Sequence, residues 1–260
     1  MTYDRFYYST LDPKKQKVYQ LIYHGIEKLE KEITVDKSSC ALEEIKKILE
    51  YVGLDNPHLF YVDFSRYTYY DTTVAYIFTL TYWYTPDELK ELNHKVENVL
   101  RKMLKRVTGQ NEYEKEKSVH DLIAGNVLYN TAALDNLHVH SPRTNTILGV
   151  LFYKTAVCEG IAKVAKMLLN MLDIKCIVVS GRDRKHNVPH AWNIVKIAGE
   201  AYHVDFTWDM NGSVGGRICY DYFNLTDQEI QADHVMDMAY PQCRYGTYKI
   251  KPREQIKWWI

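Results

Sequence analysis

The sequence predicts an α+β fold on three observations. A helix-period stripe begins at Cys158 and continues through Ile161, Val164, Ala165, Leu168, Leu169 and Leu172, after which three apolar runs have strand character. The last two runs, His190–Ile197 and Glu200–Thr207, are separated only by Ala198-Gly199, so they pair as antiparallel neighbours. In the first hundred residues, helical and extended stretches come in blocks. A doubly wound parallel sheet would need them to alternate.

Taken in order, residues 12–34 open with Asp12-Pro13 and place Val18, Leu21, Ile22, Ile26 and Leu29 on one helical face. A second helix is expected from Ala41 to about Val52, ended by Gly53 and by Asn56-Pro57. His58–Asp63 and Thr73–Tyr84 are dense in aromatic and β-branched residues and read as strands. Pro86 precedes a charged helix over about 87–106, with Leu89, Leu92, Val96, Val99, Leu100 and Leu104 inward. Val107–Glu116 is polar, contains Gly109 and serves as a candidate linker, followed by a helix over Ser118–Leu128. This organisation predicts an N-terminal α+β region over 1–110, of unassigned role, and a second domain over 111–260. Asn145–Tyr153 suits either a helical turn or an extended piece. Ile174–Val179 is the first strand after the Cys158 helix, and Asp227–Met238 contains a short helical piece.

Composition narrows the function. The chain has 260 residues, 46% hydrophobic and 25% charged, which is the balance of a folded protein rather than a disordered one. Its 33 basic side chains cancel its 33 acidic ones, so no global field favours nucleic acid or anionic lipid. No apolar stretch approaches membrane-spanning length, and no membrane insertion is expected. Residues Met1–Thr10 lack a basic start followed by an apolar run, which predicts a cytoplasmic location. The five cysteines form no CxxC and no zinc-finger spacing, and an odd count leaves at least one thiol unpaired within the chain. The 22 tyrosines suit either an aromatic-lined groove for polymers or peptides, or a sheet rich in amphipathic side chains.

Chemistry concentrates at three positions. Cys158 falls on the first turn of its helix, where unpaired N–H groups and the positive dipole end favour a thiolate. Gly160 leaves room for another chain segment to approach closely. With Ala198-Gly199 as the turn, Ile197 pairs with Glu200 and Trp192 lies opposite Asp205. His190 and Asp205 then become diagonal neighbours on one sheet face, with Cβ atoms roughly 7 Å apart. A carboxylate between Val204 and Phe206 needs a partner if buried, and an imidazole N–H supplies one. A surface Asp and a core His fit the same pattern.

The segments Ala156-Val-Cys-Glu-Gly160, Pro189-His-Ala-Trp-Asn193 and Tyr202-His-Val-Asp-Phe-Thr-Trp208, in that order, resemble the transglutaminase-like superfamily of papain-fold cysteine enzymes, in its bacterial protease-like branch. The core of the resemblance covers about residues 112–225. Val119-His-Asp-Leu-Ile-Ala-Gly-Asn-Val-Leu-Tyr129 and Asp55-Asn-Pro-His-Leu-Phe60 extend it more loosely. The resemblance implies a papain-like, transglutaminase-like core in which a nucleophile-bearing helix packs on an antiparallel sheet, preceded by a smaller helical and antiparallel-strand region. It further implies Cys158 as nucleophile, His190 as general base and then acid, and Asp205 as the carboxylate that orients the ring. The implied reaction is acyl transfer on amide bonds through a thioester, without a cofactor or metal. Peptide hydrolysis is the leading outcome, protein cross-linking the alternative, and a non-catalytic peptide- or glycan-binding module a third. The implied partner is a protein or peptide, with a cell-envelope peptide as one candidate, and the family also suggests export or envelope attachment. The backbone N–H of Cys158 and the Asn126–Tyr129 region are candidate oxyanion donors.

Other constellations are weaker. His138 and His140, with His186, could approach a metal, but no further ligand completes a recognised spacing. His203 alternates with Asp205 along the strand and competes with His190 as the catalytic imidazole. Trp192 and Trp208 either wall the site or anchor the sheet. Gly212–Gly216 is too irregular for a phosphate loop and suits a cleft rim.

Overall fold

The computed structural model describes residues 4–133, 141–213 and 215–250, divided into two compact units at Val96/Glu97. The first unit begins with helices α1 (Phe6–Thr10) and α2 (Pro13–Glu27), followed by strand β1 (Glu32–Asp36), helix α3 (Leu42–Asp55) and strands β2 (Val62–Asp71) and β3 (Ala75–Tyr82). Asp12 accepts hydrogen bonds from the Lys14 and Lys15 amides, and Pro13 occupies the first helical position, which together start α2. The helix ends at Glu27, earlier than the apolar periodicity of 12–34 suggested. Leu29 turns left-handed at φ 57°, and Glu32–Asp36 then alternates exposed and buried as an edge strand. The sheet order is β1-β3-β2, antiparallel throughout, with a register shift between Asp63 and Tyr67. Ile22, Ile26, Ile45, Ile48, Val52 and Phe78 are buried in its core.

The unit boundary falls inside helix α4 (Pro86–Leu104). The second unit continues with helix α5 (Glu112–Ala124), which starts six residues before the apolar pattern predicts because Asn111 caps the Glu114 amide at 2.9 Å. Two-residue strands β4 (Leu128–Tyr129) and β5 (Thr155–Ala156) pair in parallel, and a π-helical turn, Gly149–Tyr153, precedes β5. Helix α6 (Cys158–Asn170) then packs on a four-stranded antiparallel sheet of β6 (Cys176–Asp183), β7 (Pro189–Ile197), β8 (Glu200–Val204) and β9 (His234–Met236), in the order β8-β7-β6-β9. Helices α7 (Phe206–Gly212) and α8 (Asp227–Ile230) lie between β8 and β9 in sequence. Ile161, Val164, Ala165, Leu168 and Leu169 are fully buried, so the stripe that announced α6 is the face it turns to the core. The expected α+β architecture is the observed one, with the Cys158 helix on an antiparallel sheet. Among the described residues, no helix is long and apolar enough to cross a membrane.

Candidate active site

Cys158 is the first residue of α6. Val157 precedes it in extended conformation (φ −93°, ψ 174°), and no side chain caps the helix start. The first-turn N–H groups, Cys158's own included, therefore face the region of the thiol without a competing side-chain acceptor. Gly160 permits the approach expected of it, since a Cβ there would lie 2.7 Å from the Thr146 carbonyl oxygen. The β4–β5 pairing sets Tyr129 against Ala156, two residues before Cys158. Burial holds the Tyr129 phenol protonated well above its ordinary range, and charge on Cys158 and Asp205 adds to this. Asn126 is committed elsewhere, donating to the Leu122 carbonyl at 2.8 Å.

His190 and Asp205 meet as the hairpin register requires. Ala198 (φ 50°) and Gly199 (φ 91°) form the turn, Ile197 pairs with Glu200, and the ladder runs to Asn193–Val204. His190 Nε2 donates to Asp205 Oδ2 at 2.6 Å, and the ring is in hydrogen-bonding contact with the Cys158 side chain. Since Nε2 is taken by the carboxylate, Nδ1 is the nitrogen left for sulfur. The sequence placed Asp205 inside a strand reaching Thr207, but the strand ends at Val204 because Asp205 caps α7. Its Oδ1 accepts from the Thr207 and Trp208 amides at 2.9 and 3.1 Å.

Burial alone would raise Asp205, yet the His190 charge and the hydrogen bonds of two imidazoles pull its carboxyl far below the usual range. Burial likewise disfavours charge on His190, and the adjacent Asp205 carboxylate overrides it, raising the ring to about 10, with Cys158 contributing. The pair is therefore ionic across the neutral range, inside an aromatic box. Trp192 stacks on His190 at 5.9 Å between ring centroids, and Trp208 lies at 5.6 Å.

The second imidazole on Asp205 is His234, fully buried on β9, whose Nε2 lies 3.0 Å from Oδ2. Sequence reasoning did not single it out, expecting only a short helical piece within Asp227–Met238. Only α8 is helical there, and His234–Met236 pairs with Gly181–Asp183. Gly181 makes that pairing possible, because a Cβ there would lie 2.3 Å from the Val235 carbonyl oxygen and 2.6 Å from the Trp192 ring.

His203 is no rival to His190. Its Nδ1 accepts from the Trp192 indole at 3.0 Å, and its Nε2 faces Asp227 Oδ1 at 2.9 Å. An indole only donates, so Nδ1 must be the acceptor and Nε2 carries the hydrogen. His203, Asp227 and Cys243 form a His/Asp/Cys cluster, buried except for Asp227, with the proximity of a metal site. The fixed tautomer removes the lone pair a cation would need on Nε2, and the cluster instead locks the Trp192 ring that stacks on His190. His138 and His140 lie outside the described residues, and His186 bonds Asp183 at 2.8 Å. Cys40 and Cys176 are buried, while Cys219 is half-buried and its thiol is pushed up to about 12 by burial.

A helix-borne thiol, an imidazole and a buried carboxylate on an α+β scaffold define a cysteine-enzyme core of the kind that performs thiol-dependent acyl transfer. Residues 99–208 match the family model of the transglutaminase-like superfamily. Two solved structures are similar over part of the chain. One is described as a TGase, with 18% identity, a TM-score of 0.39, and coverage of 55% of this chain and 44% of its own. The other is a candidate cysteine protease from Cytophaga hutchinsonii, with 16% identity, a TM-score of 0.37, and coverage of 56% of this chain and 64% of its own. This chain thus spans less than two thirds of either relative. No curated protein matches the sequence.

Proposed function

We propose that the protein hydrolyses peptide amide bonds by acyl transfer to Cys158. The observation that carries this reading is the continuous contact from Asp205 through His190 to Cys158. With its proton already resting on His190 Nδ1, sulfur attacks the amide carbon and a C–S bond forms. The oxyanion is met by the Cys158 N–H, with Tyr129 as the second donor. Collapse breaks the C–N bond as His190 returns the proton to the leaving amine. Water, deprotonated by His190, then cleaves the thioester and releases a carboxylic acid. Asp205 keeps the hydrogen on Nε2 throughout, so that Nδ1 always faces sulfur.

The test has two stages. Peptide-resolved iodoacetamide labelling at pH 6 should modify Cys158 at least about tenfold faster than Cys40 or Cys219, whose buried thiols resist ionisation. Casein with a labelled amine should then be cleaved by the wild-type chain and left intact by Cys158→Ser. Amine incorporation without cleavage would replace hydrolysis by cross-linking. Equal labelling of all three cysteines would leave a binding module and refute the enzyme.

A further inference from the structure

The proposed mechanism uses one histidine on Asp205, yet the structure supplies two. His234 sits between two carboxylates, with Nε2 3.0 Å from Asp205 Oδ2 and Nδ1 2.6 Å from Asp233 Oδ1. An ionised carboxylate only accepts, so each nitrogen has to donate and the ring carries both hydrogens. It is wholly buried, wedged against Trp208 at 4.3 Å and Trp192 at 4.8 Å, and lies 5.3 Å from the His190 ring itself. Asp205 thereby receives four donors, two backbone amides on Oδ1 and two imidazoles on Oδ2.

We propose that His234 is a positioning residue that shares Oδ2 of Asp205 with His190, fixing where that oxygen sits and keeping the carboxylate ionised in acid. The inference deepens the reading of Cys158 as nucleophile and rests on it. His234 acts only through Asp205. A capping carboxylate whose Oδ2 is held by His190 alone keeps more freedom to turn about its Cβ–Cγ bond, and the ring can drift from sulfur with it. With two imidazoles on one oxygen and two amides on the other, that rotation is blocked.

The groups facing His234 set the sign of its effect. On its own strand and the turn before it, Asp233 also accepts from Tyr222 Oη at 2.6 Å. From the turn after β6, Arg184 donates to the His234 carbonyl at 3.3 Å, and from β6 itself Asp183 is the paired residue, with a carboxylate occupied by the Lys185 and His186 amides and the His186 ring. From β7 and β8 come His190 and the neutral His203, and behind Asp205 on α7 lies Asp209, whose negative charge repels that of Asp205. Of these, only Asp205 and Asp233 bond the ring. Removing the ring takes from Asp205 one of the interactions that hold its carboxyl low, so the acid edge of Cys158 reactivity moves to higher pH.

The experiment compares iodoacetamide labelling of Cys158 from pH 3 to 9 in the full chain and in His234→Gln, His234→Phe and Asp233→Asn, each checked for folding by circular dichroism. His234→Gln keeps a donor for Oδ2 without the ring, and Asp233→Asn keeps the ring but removes the anion beyond it. All three should shift the acid edge upward, Asp233→Asn least. At pH 7 His234→Phe should slow labelling by at least about tenfold, and His234→Gln should recover most of that loss. Should the phenylalanine variant fail to fold, the other two decide. Nitrogen NMR of the wild-type histidines at pH 7 should show both nitrogens of His234 protonated, a readout independent of Cys158. Acid edges that coincide with wild type, or a His234 ring with a single hydrogen, overturn the proposal. Wild-type Cys158 labelling no faster than Cys219 instead refutes the enzyme reading, and with it the role for His234.

Discussion

Replacing Asp205 by Asn separates charge from shape at the centre of the site. The amide oxygen can still accept the Thr207 and Trp208 N–H groups, so α7 keeps its cap. The other amide atom becomes an NH2 group facing two imidazole nitrogens that donated to the carboxylate. His190 then turns its Nε2 lone pair to that NH2, and its hydrogen moves to Nδ1, the side that faces sulfur. A ring in that tautomer cannot take the thiol's proton, and such a change is worth about 10⁴-fold in a related triad. A ring held at about 10 instead of 6.5 is favoured in its charged form by roughly 5 kcal/mol, so much of that stabilisation is lost as well. Alkylation of Cys158 at pH 6 should therefore fall by about 10³-fold or more.

Stability should follow the same logic. Asp205 sits below its unfolded value, so its contribution is present above about pH 4 and is lost as acid protonates it in the folded state. His190 is raised, so its contribution is complete below about 6.5 and fades as pH rises toward 10. The gap in melting temperature between wild type and Asp205→Asn should thus be widest near pH 4–6.5 and narrow on either side. A variant that folds and alkylates Cys158 within about threefold of wild type would refute the triad.

Two further substitutions test the scaffold. Gly181→Ala forces a methyl against the Val235 carbonyl and the Trp192 ring, so β9 should be pushed away, with a loss of about 1–3 kcal/mol in urea unfolding. Cys158 labelling should slow along with it, and an unchanged unfolding midpoint would show that β9 is not held where described. Ala198→Asn supplies a residue better suited to φ 50°, at a turn whose backbone N–H already donates to Glu112 at 2.7 Å. It should stabilise by about 0.5–1 kcal/mol, with the His190–Asp205 register intact, and calorimetry showing a lower melting temperature would contradict it.

Much of the catalytic half is legible because its signals are local. The α6 stripe, the Ala198-Gly199 turn and the diagonal of His190 and Asp205 all follow from periods of 3.6 and 2 over short distances. Asp205 as a helix cap was harder to read, since Val204–Asp205–Phe206 alternates like a strand, and only the two amide bonds to Oδ1 end it. His234 was invisible for a different reason. Its partner lies 29 residues away, on the far edge of the sheet, and the three-residue strand that carries it has too little sequence to show a period. In the first unit, β1 was partly absorbed into the preceding helix, whose expected range of 12–34 ran past the break at Leu29.

The sheet order β8-β7-β6-β9 puts the chain just after one outer strand, at Asp205, and the opposite outer strand, at His234, on the same oxygen atom. The stretch matched by the family model closes at residue 208. Any attempt to isolate the smallest working piece by trimming to that stretch would discard the second imidazole along with the tyrosine and aspartate behind it. The shortest piece worth expressing must run at least through Met236.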